Sequence, residues 1–160
     1  MNSSFTVSLE KIIDEFSLES LNMPREPSEI YISSTDVNRP GLHLDGFFEY
    51  FDGAPIQIFG MNEHSYLRAY PVEEQKRKLE EFFEKKPATV ILARSLEASP
   101  EMLDAAKRYG IPLLRTADST SSFLSALIAF LNIQLAPRVT RHGVLVEVYG
   151  EGLLLLGESG

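Results

Sequence analysis

At 160 residues, with 44% apolar and 24% charged side chains, the chain is long enough for one ordinary hydrophobic core, at most with the opening of a second domain. A net charge of −8 argues against nucleic acid as a partner, because neutralising phosphates takes a clustered excess of Lys and Arg, and the absence of cysteine excludes disulfides and thiolate metal sites. The chain does not open on a basic stretch followed by an apolar run, and no apolar run approaches the roughly 20 residues that cross a bilayer, so a cytoplasmic protein with protein or small-molecule partners and no membrane contact is expected.

The first element is a helix over "VSLEKIIDEFSLESL", where Leu9, Ile12, Ile13, Phe16 and Leu21 recur at helical spacing, Ser8 caps the start, and Pro24 and Pro27 stop the run. "EIYIS" reads as a short strand and "IQIFG" as another, closed by Gly60. Between them, "NRPGLHLDGFFEYF" carries a Pro-Gly turn followed by aromatics at core spacing. The polar stretch from Asp36 to Gly41 follows a strand, where α/β folds bind ligands, although a plain turn has the same composition.

A charged helix, "VEEQKRKLEEFFEKK", then precedes "ATVILAR", a continuous apolar run of the kind that forms a central strand buried on both faces. "SPEMLDAAKRYG" has every mark of a helix: Ser99 as cap, Pro100 at the first position, acidic residues in the opening turns and Gly110 beyond the end. "IPLLRT" is the next strand, and "STSSFLSALIAFLNIQLA" a helix that halts before Pro137. Strands alternating with helices predict an α/β fold whose N-terminal domain has a largely parallel sheet flanked by helices.

After Pro137 the pattern changes. Val144 to Tyr149 and Leu153 to Leu156 are two extended segments joined by Gly150-Glu151-Gly152 in the manner of a β-hairpin. Residues 1–135 are therefore expected to form one α/β domain, and 136–160 a linker and the start of a second. The chain closes on "GESG", Gly157 to Gly160, a turn that backbone N–H groups can wrap around an oxyanion because few side chains block the approach. Taken alone, a Gly/Ser turn of four residues is equally a plain β-turn.

The stretches "DVNRPGLHLDGFFEYF", "IQIFG", "YGIPLLRT", "LAPRVTRHGVLVEVYGEG" and the terminal "GESG" together resemble the HPr kinase/phosphorylase family, in order and over nearly the whole chain. In that family the last stretch runs on into Gly-Lys-Ser and completes a Walker A loop, so the resemblance implies nucleotide binding by Gly157, Glu158, Ser159 and Gly160 and a chain that stops inside the loop. Glu151 departs from the resemblance by placing a charge on the hairpin tip, which solvent accommodates.

The resemblance implies more. His142, in the His-Gly before the hairpin, matches the family's active-site histidine, while the residue by itself is equally a solvated surface histidine. The whole enzyme would use ATP and Mg²⁺ to phosphorylate the phosphocarrier protein HPr on serine, reverse this by phosphorolysis in carbon catabolite regulation, and assemble as a homohexamer. The loop lysine, the metal-binding serine and the catalytic aspartates would lie beyond Gly160, so the 160 residues are expected to be inactive and to hold no cofactor. Residues 1–135 would be a regulatory or assembly-forming domain. The competing reading is a stand-alone α/β module that binds a ligand or forms oligomers without catalysis. His43 and His64 are far apart with no carboxylate cluster at ligand spacing, so a metal site is disfavoured for both. The mixed charges of the "EEQKRKLEEFFEKK" helix read as a solvated face.

Overall fold

The computed structural model describes residues 5–38 and 55–136. In chain order these form β1 (Val7–Ser8), α1 (Leu9–Phe16), β2 (Glu19–Asn22), a 3₁₀ turn at Pro27–Glu29, β3 (Tyr31–Ile32), β4 (Val37–Asn38) and β5 (Ile56–Phe59). There follow α2 (Met61–Arg68), α3 (Val72–Glu84), β6 (Thr89–Leu92), α4 (Pro100–Tyr109), β7 (Leu113–Arg115) and α5 (Thr120–Leu135). One sheet has the order β2-β7-β6-β5-β4, and β1 pairs separately with β3, antiparallel.

The α/β expectation is met with a mixed sheet. Strands β4, β5, β6 and β7 run parallel, whereas β2 lies antiparallel along β7, with Glu19 opposite Arg115 and a register shift between Ser20 and Asn22. That edge strand corrects the sequence reading, which carried the first helix on to Leu21. The helix stops at Phe16 because Ser17 turns left-handed at φ 53°, and the N–H groups of Ser17 and Leu18 both donate to the carbonyl of Ile13. Residues 19–22 then extend, since the outer edge of β7 would otherwise present unpaired backbone groups. The start of the same helix is as expected, with Ser8 Oγ accepting from the N–H of Lys11 at 3.2 Å.

The central strands alternate with period two, and each face has its own helices. Ile56, Ile58, Ile91 and Leu114 meet Leu9 and Ile12 of α1 and Phe123, Leu127 and Leu131 of α5. Phe59, Val90, Leu92 and Leu113 meet Leu79, Phe82 and Phe83 of α3 and Met102, Ala105 and Ala106 of α4. All of these side chains are buried, and each contributes about 1.5–3 kcal/mol by leaving water where the residue is large and aliphatic or aromatic. The "ATVILAR" run therefore forms the buried central strand anticipated, hydrogen-bonded to β5 on one side and β7 on the other. Edge-to-face rings add to the packing: Phe16 of α1 meets Phe123 and Phe130 of α5 at 5.3 and 5.5 Å on one face, and Phe59 of β5 meets Phe82 of α3 at 5.4 Å on the other.

Helix α4 follows its sequence signature in full: Ser99 Oγ accepts from the Met102 N–H at 3.1 Å, and Gly110 closes the helix at φ 69°. Helix α2, absent from the sequence reading, springs directly from the end of β5. Gly60 precedes it, and the buried carboxylate of Glu63 accepts from the Gly60 N–H at 2.8 Å. The Asp36-Val37-Asn38 stretch, taken from sequence for a polar turn, contributes the two residues of β4 that pair with β5. The expected hairpin at 144–156 and the opening of a second domain lie outside the described residues.

Candidate functional site

Four parallel strands end at one edge of the sheet, and the segments that follow three of them build its surface. After β6 the chain makes two consecutive left-handed residues, Arg94 at φ 57° and Ser95 at φ 54°, a conformation that costs a non-glycine residue about 1–2 kcal/mol. Neighbouring loops hold it in place. The Ala93 N–H donates to the Phe59 carbonyl at 2.9 Å, that of Arg94 to the Asp118 carbonyl at 2.8 Å and that of Ser95 to the Thr116 carbonyl at 2.8 Å. Arg115 secures the next residue, its Nη1 donating to the Leu96 carbonyl at 3.2 Å while Nε and Nη2 grip Glu19. The loop from 93 to 99 is thus tied to β5, β7 and the turn after β7.

Between this loop and α2 lies an open cleft of about 600 Å³, lined on the helical side by His64, Arg68 and Gln75 and on the loop side by residues 95–100. His64 and Arg68 share a helix face because they stand four residues apart. The Arg68 guanidinium Nη1 is 3.5 Å from His64 Nε2. Partial burial, aided by the Arg68 charge, holds the His64 pKa below the ordinary imidazole value. Gln75 donates through Nε2 to the Tyr70 carbonyl at 2.7 Å. Below the cleft a smaller chamber of about 30 Å³ is closed by apolar groups from both helical elements and the sheet, among them Phe59, Leu67, Leu92, Leu96 and Met102. Glu97, on the loop side, lines both spaces together with Arg68, and among the described residues neither is in an ion pair.

His142, Gly157, Glu158, Ser159 and Gly160, named as catalytic and nucleotide-binding positions, lie outside the described residues, as do His43 and residues 39–41. Of the sequence candidates within the described residues, His64 lines the cleft. Among the described residues no three His, Asp or Glu side chains come together to hold a metal, and no helix is long and apolar enough to cross a membrane. Arg68, Gln75 and Glu97 were not anticipated. The one signal available was the His64/Arg68 spacing in "NEHSYLR", which marks a polar helix face but not what lies across from it.

Comparison with known proteins gives the chain its relatives. It is 44% identical over 156 residues to a protein named HPr kinase/phosphorylase from Caldicellulosiruptor bescii, a match covering 98% of this chain and 50% of the relative. It is 40% identical over 156 residues to the protein of that name from Lachnoclostridium phytofermentans, again covering 98% of the chain and 50% of the relative. The chain thus spans about half the length of the curated relatives it matches. In fold it is similar to a crystal structure of the CBS and DRTGG domains of the regulatory region of Clostridium perfringens pyrophosphatase, complexed with the activator diadenosine tetraphosphate. That likeness has a TM-score of 0.57 at 19% identity, over 86% of this chain and 52% of the other. The family profile described as HPr Serine kinase N terminus matches residues 7–131. The chain belongs to that family, as the N-terminal domain of a bacterial HPr kinase/phosphorylase.

Proposed function

We infer that the whole protein is a bifunctional, cytoplasmic protein-serine kinase/phosphorylase that acts on the phosphocarrier HPr in carbon catabolite regulation. In the forward direction the serine hydroxyl of HPr attacks the γ-phosphorus of ATP and ADP leaves. In reverse, inorganic phosphate attacks phosphoserine, and serine and pyrophosphate are the products. The observation that carries this reading is the 44% identity, across 98% of the chain, to a protein bearing that name. Residues 1–135 serve regulation or assembly, a role supported by the fold they share with the regulatory region of a pyrophosphatase. A homohexamer is the proposed assembly, and sedimentation of the full-length protein tests it.

In this reading Gly157, Glu158, Ser159 and Gly160 open the phosphate loop, offering backbone N–H groups to the nucleotide, and His142 stands beside the transferred phosphoryl group. ATP with Mg²⁺ supplies the phosphoryl group and the charge neutralisation of its transfer. Among the described residues no three His, Asp or Glu side chains come together to hold a metal.

The test is to incubate full-length protein with ATP, Mg²⁺ and HPr and to look for phosphoserine on HPr, then to add inorganic phosphate and look for pyrophosphate. Neither product appears if the reading is wrong. The 160 residues alone leave HPr unlabelled. His142→Ala in the full-length protein lowers turnover by about 10²-fold or more with ATP affinity within a few-fold, the signature of a positioned acid–base group. Near-normal rates would return His142 to an ordinary surface histidine.

A further inference from the structure

The phosphoryl-transfer reading assigns no role to the cleft beside α2, and its lining is unusual in one respect. Arg68 and Glu97 carry opposite charges, line both the open cleft and the chamber beneath it, and are not paired with one another. Arg68 reaches no carboxylate among the described residues, only His64 Nε2 at 3.5 Å. Glu97 has neither a hydrogen bond nor an ion pair there. Oppositely charged groups in one pocket that do not close on each other suit a ligand carrying both complementary charges.

The alternatives fit less well. A polyanion such as a nucleotide or sugar bisphosphate would meet Arg68 but be repelled by Glu97, and a polyamine would meet the reverse. A simple carboxylate would satisfy the planar fork of Arg68 and leave Glu97 unmatched. The chamber adds a third requirement. At about 30 Å³ it is small beside the open cleft, and its largely apolar walls favour carbon. A compact aliphatic tip suits it better than a larger aromatic ring. Gln75 and Ser99, which line both spaces, supply neutral hydrogen-bonding groups next to the charged ones.

We propose that this cleft binds a free α-amino acid with a small aliphatic side chain, its carboxylate on Arg68, its ammonium on Glu97 and its alkyl group in the chamber. The loop holding Glu97 also carries the two left-handed residues and is tied by backbone hydrogen bonds to the turn after β7. The proposal is independent of the kinase reading, because binding is measured without turnover.

The experiment titrates the isotopically labelled chain, observed by amide NMR, with L-leucine and with three analogues: 4-methyl-2-oxopentanoate, which lacks the ammonium; 3-methylbutylamine, which lacks the carboxylate; and L-phenylalanine, whose larger aromatic ring suits the chamber less well. L-leucine is expected to shift the amides of Arg68, Glu97 and Ser99 saturably, and each analogue to bind at least about 10-fold more weakly, the loss of one charge-assisted contact or of the side-chain fit. Arg68→Gln and Glu97→Gln, both at exposed positions, are expected to weaken L-leucine binding by at least about 10-fold with an unchanged melting temperature. Absence of saturable shifts with millimolar L-leucine overturns the proposal. So does binding of the oxo acid or of inorganic phosphate as tight as that of L-leucine, which would make the cleft an anion site of Arg68 alone. Indifference of L-leucine binding to Glu97→Gln overturns it equally.

Discussion

Gly60 lies directly against Thr120, so that a β-carbon on Gly60 would overlap the threonine Oγ1 and come within 3.0 Å of Cγ2 and 3.1 Å of Cβ. The φ of Gly60 is −109°, which any residue can adopt, so the glycine is required by space and not by backbone conformation. The contact joins the first residue after β5 to the first turn of α5, two segments 60 residues apart that flank the carboxyl edge of the sheet.

Gly60→Ala is therefore expected to destabilise the domain by about 1–3 kcal/mol through overpacking. In a Thr120→Ala background, with Oγ1 and Cγ2 gone, the same substitution costs less than half as much. Urea unfolding of the four proteins measures the difference, and equal costs in both backgrounds would mean that something other than Thr120 excludes the methyl group.

Arg115 and Glu19 form a two-pronged pair across the antiparallel pairing of β2 with β7, with Nη2 at 2.8 and 2.9 Å from the two carboxylate oxygens. Glu19 is more than half exposed, so a double-mutant cycle is expected to give a coupling of no more than about 1 kcal/mol that shrinks with added salt. The single change Arg115→Ala costs more than the coupling, because it also frees the Leu96 carbonyl. Arg115→Lys recovers only part, since an ammonium cannot reproduce the fork.

The ends of α4 offer two further tests. Ser99→Ala removes the oxygen that accepts from the Met102 N–H and is expected to cost about 1 kcal/mol. Gly110→Ala meets no atom within 4 Å, so its cost of about 1 kcal/mol is backbone strain at φ 69° alone, and Gly110→Asn is milder. A Gly110→Ala protein as stable as the parent would contradict the left-handed end of the helix.

His64 makes stability depend on pH in a definite direction. Its pKa is lowered in the folded state, so on acidification the unfolded chain takes up a proton first, and stability falls as the pH drops below the ordinary imidazole value. The fall from this residue ends once the pH is below the folded pKa, where both states are protonated. His64→Gln is expected to flatten the unfolding free energy across that window, and equal slopes for the two proteins would show that His64 does not contribute. Arg68→Gln raises the His64 pKa part of the way, as followed by imidazole NMR, because burial is the larger cause and remains.

Much of this architecture was legible in local chemistry. Ser8, Ser99 and Gly110 mark helix ends because their capping bonds and left-handed turns involve neighbours within a few residues. The apolar run of β6 marks a central strand because nothing short of burial on both faces accommodates it. The family resemblance, too, rested on contiguous strings of residues. Tertiary structure decided the rest. Residues 19–22 carry enough helical spacing to pass for a helix, and become a strand because β7 has an open edge and Arg115 waits opposite Glu19, 96 residues away. Helix α2 begins where Glu63 caps the Gly60 N–H and Thr120 leaves no room for a side chain. The cleft was invisible for the same reason: Arg68, Gln75 and Glu97 come from three segments whose separation in sequence carries no periodicity. Only the parallel stacking of β5, β6 and β7 brings the segments that follow them to one edge, and so sets an arginine and a glutamate on two sides of one pocket.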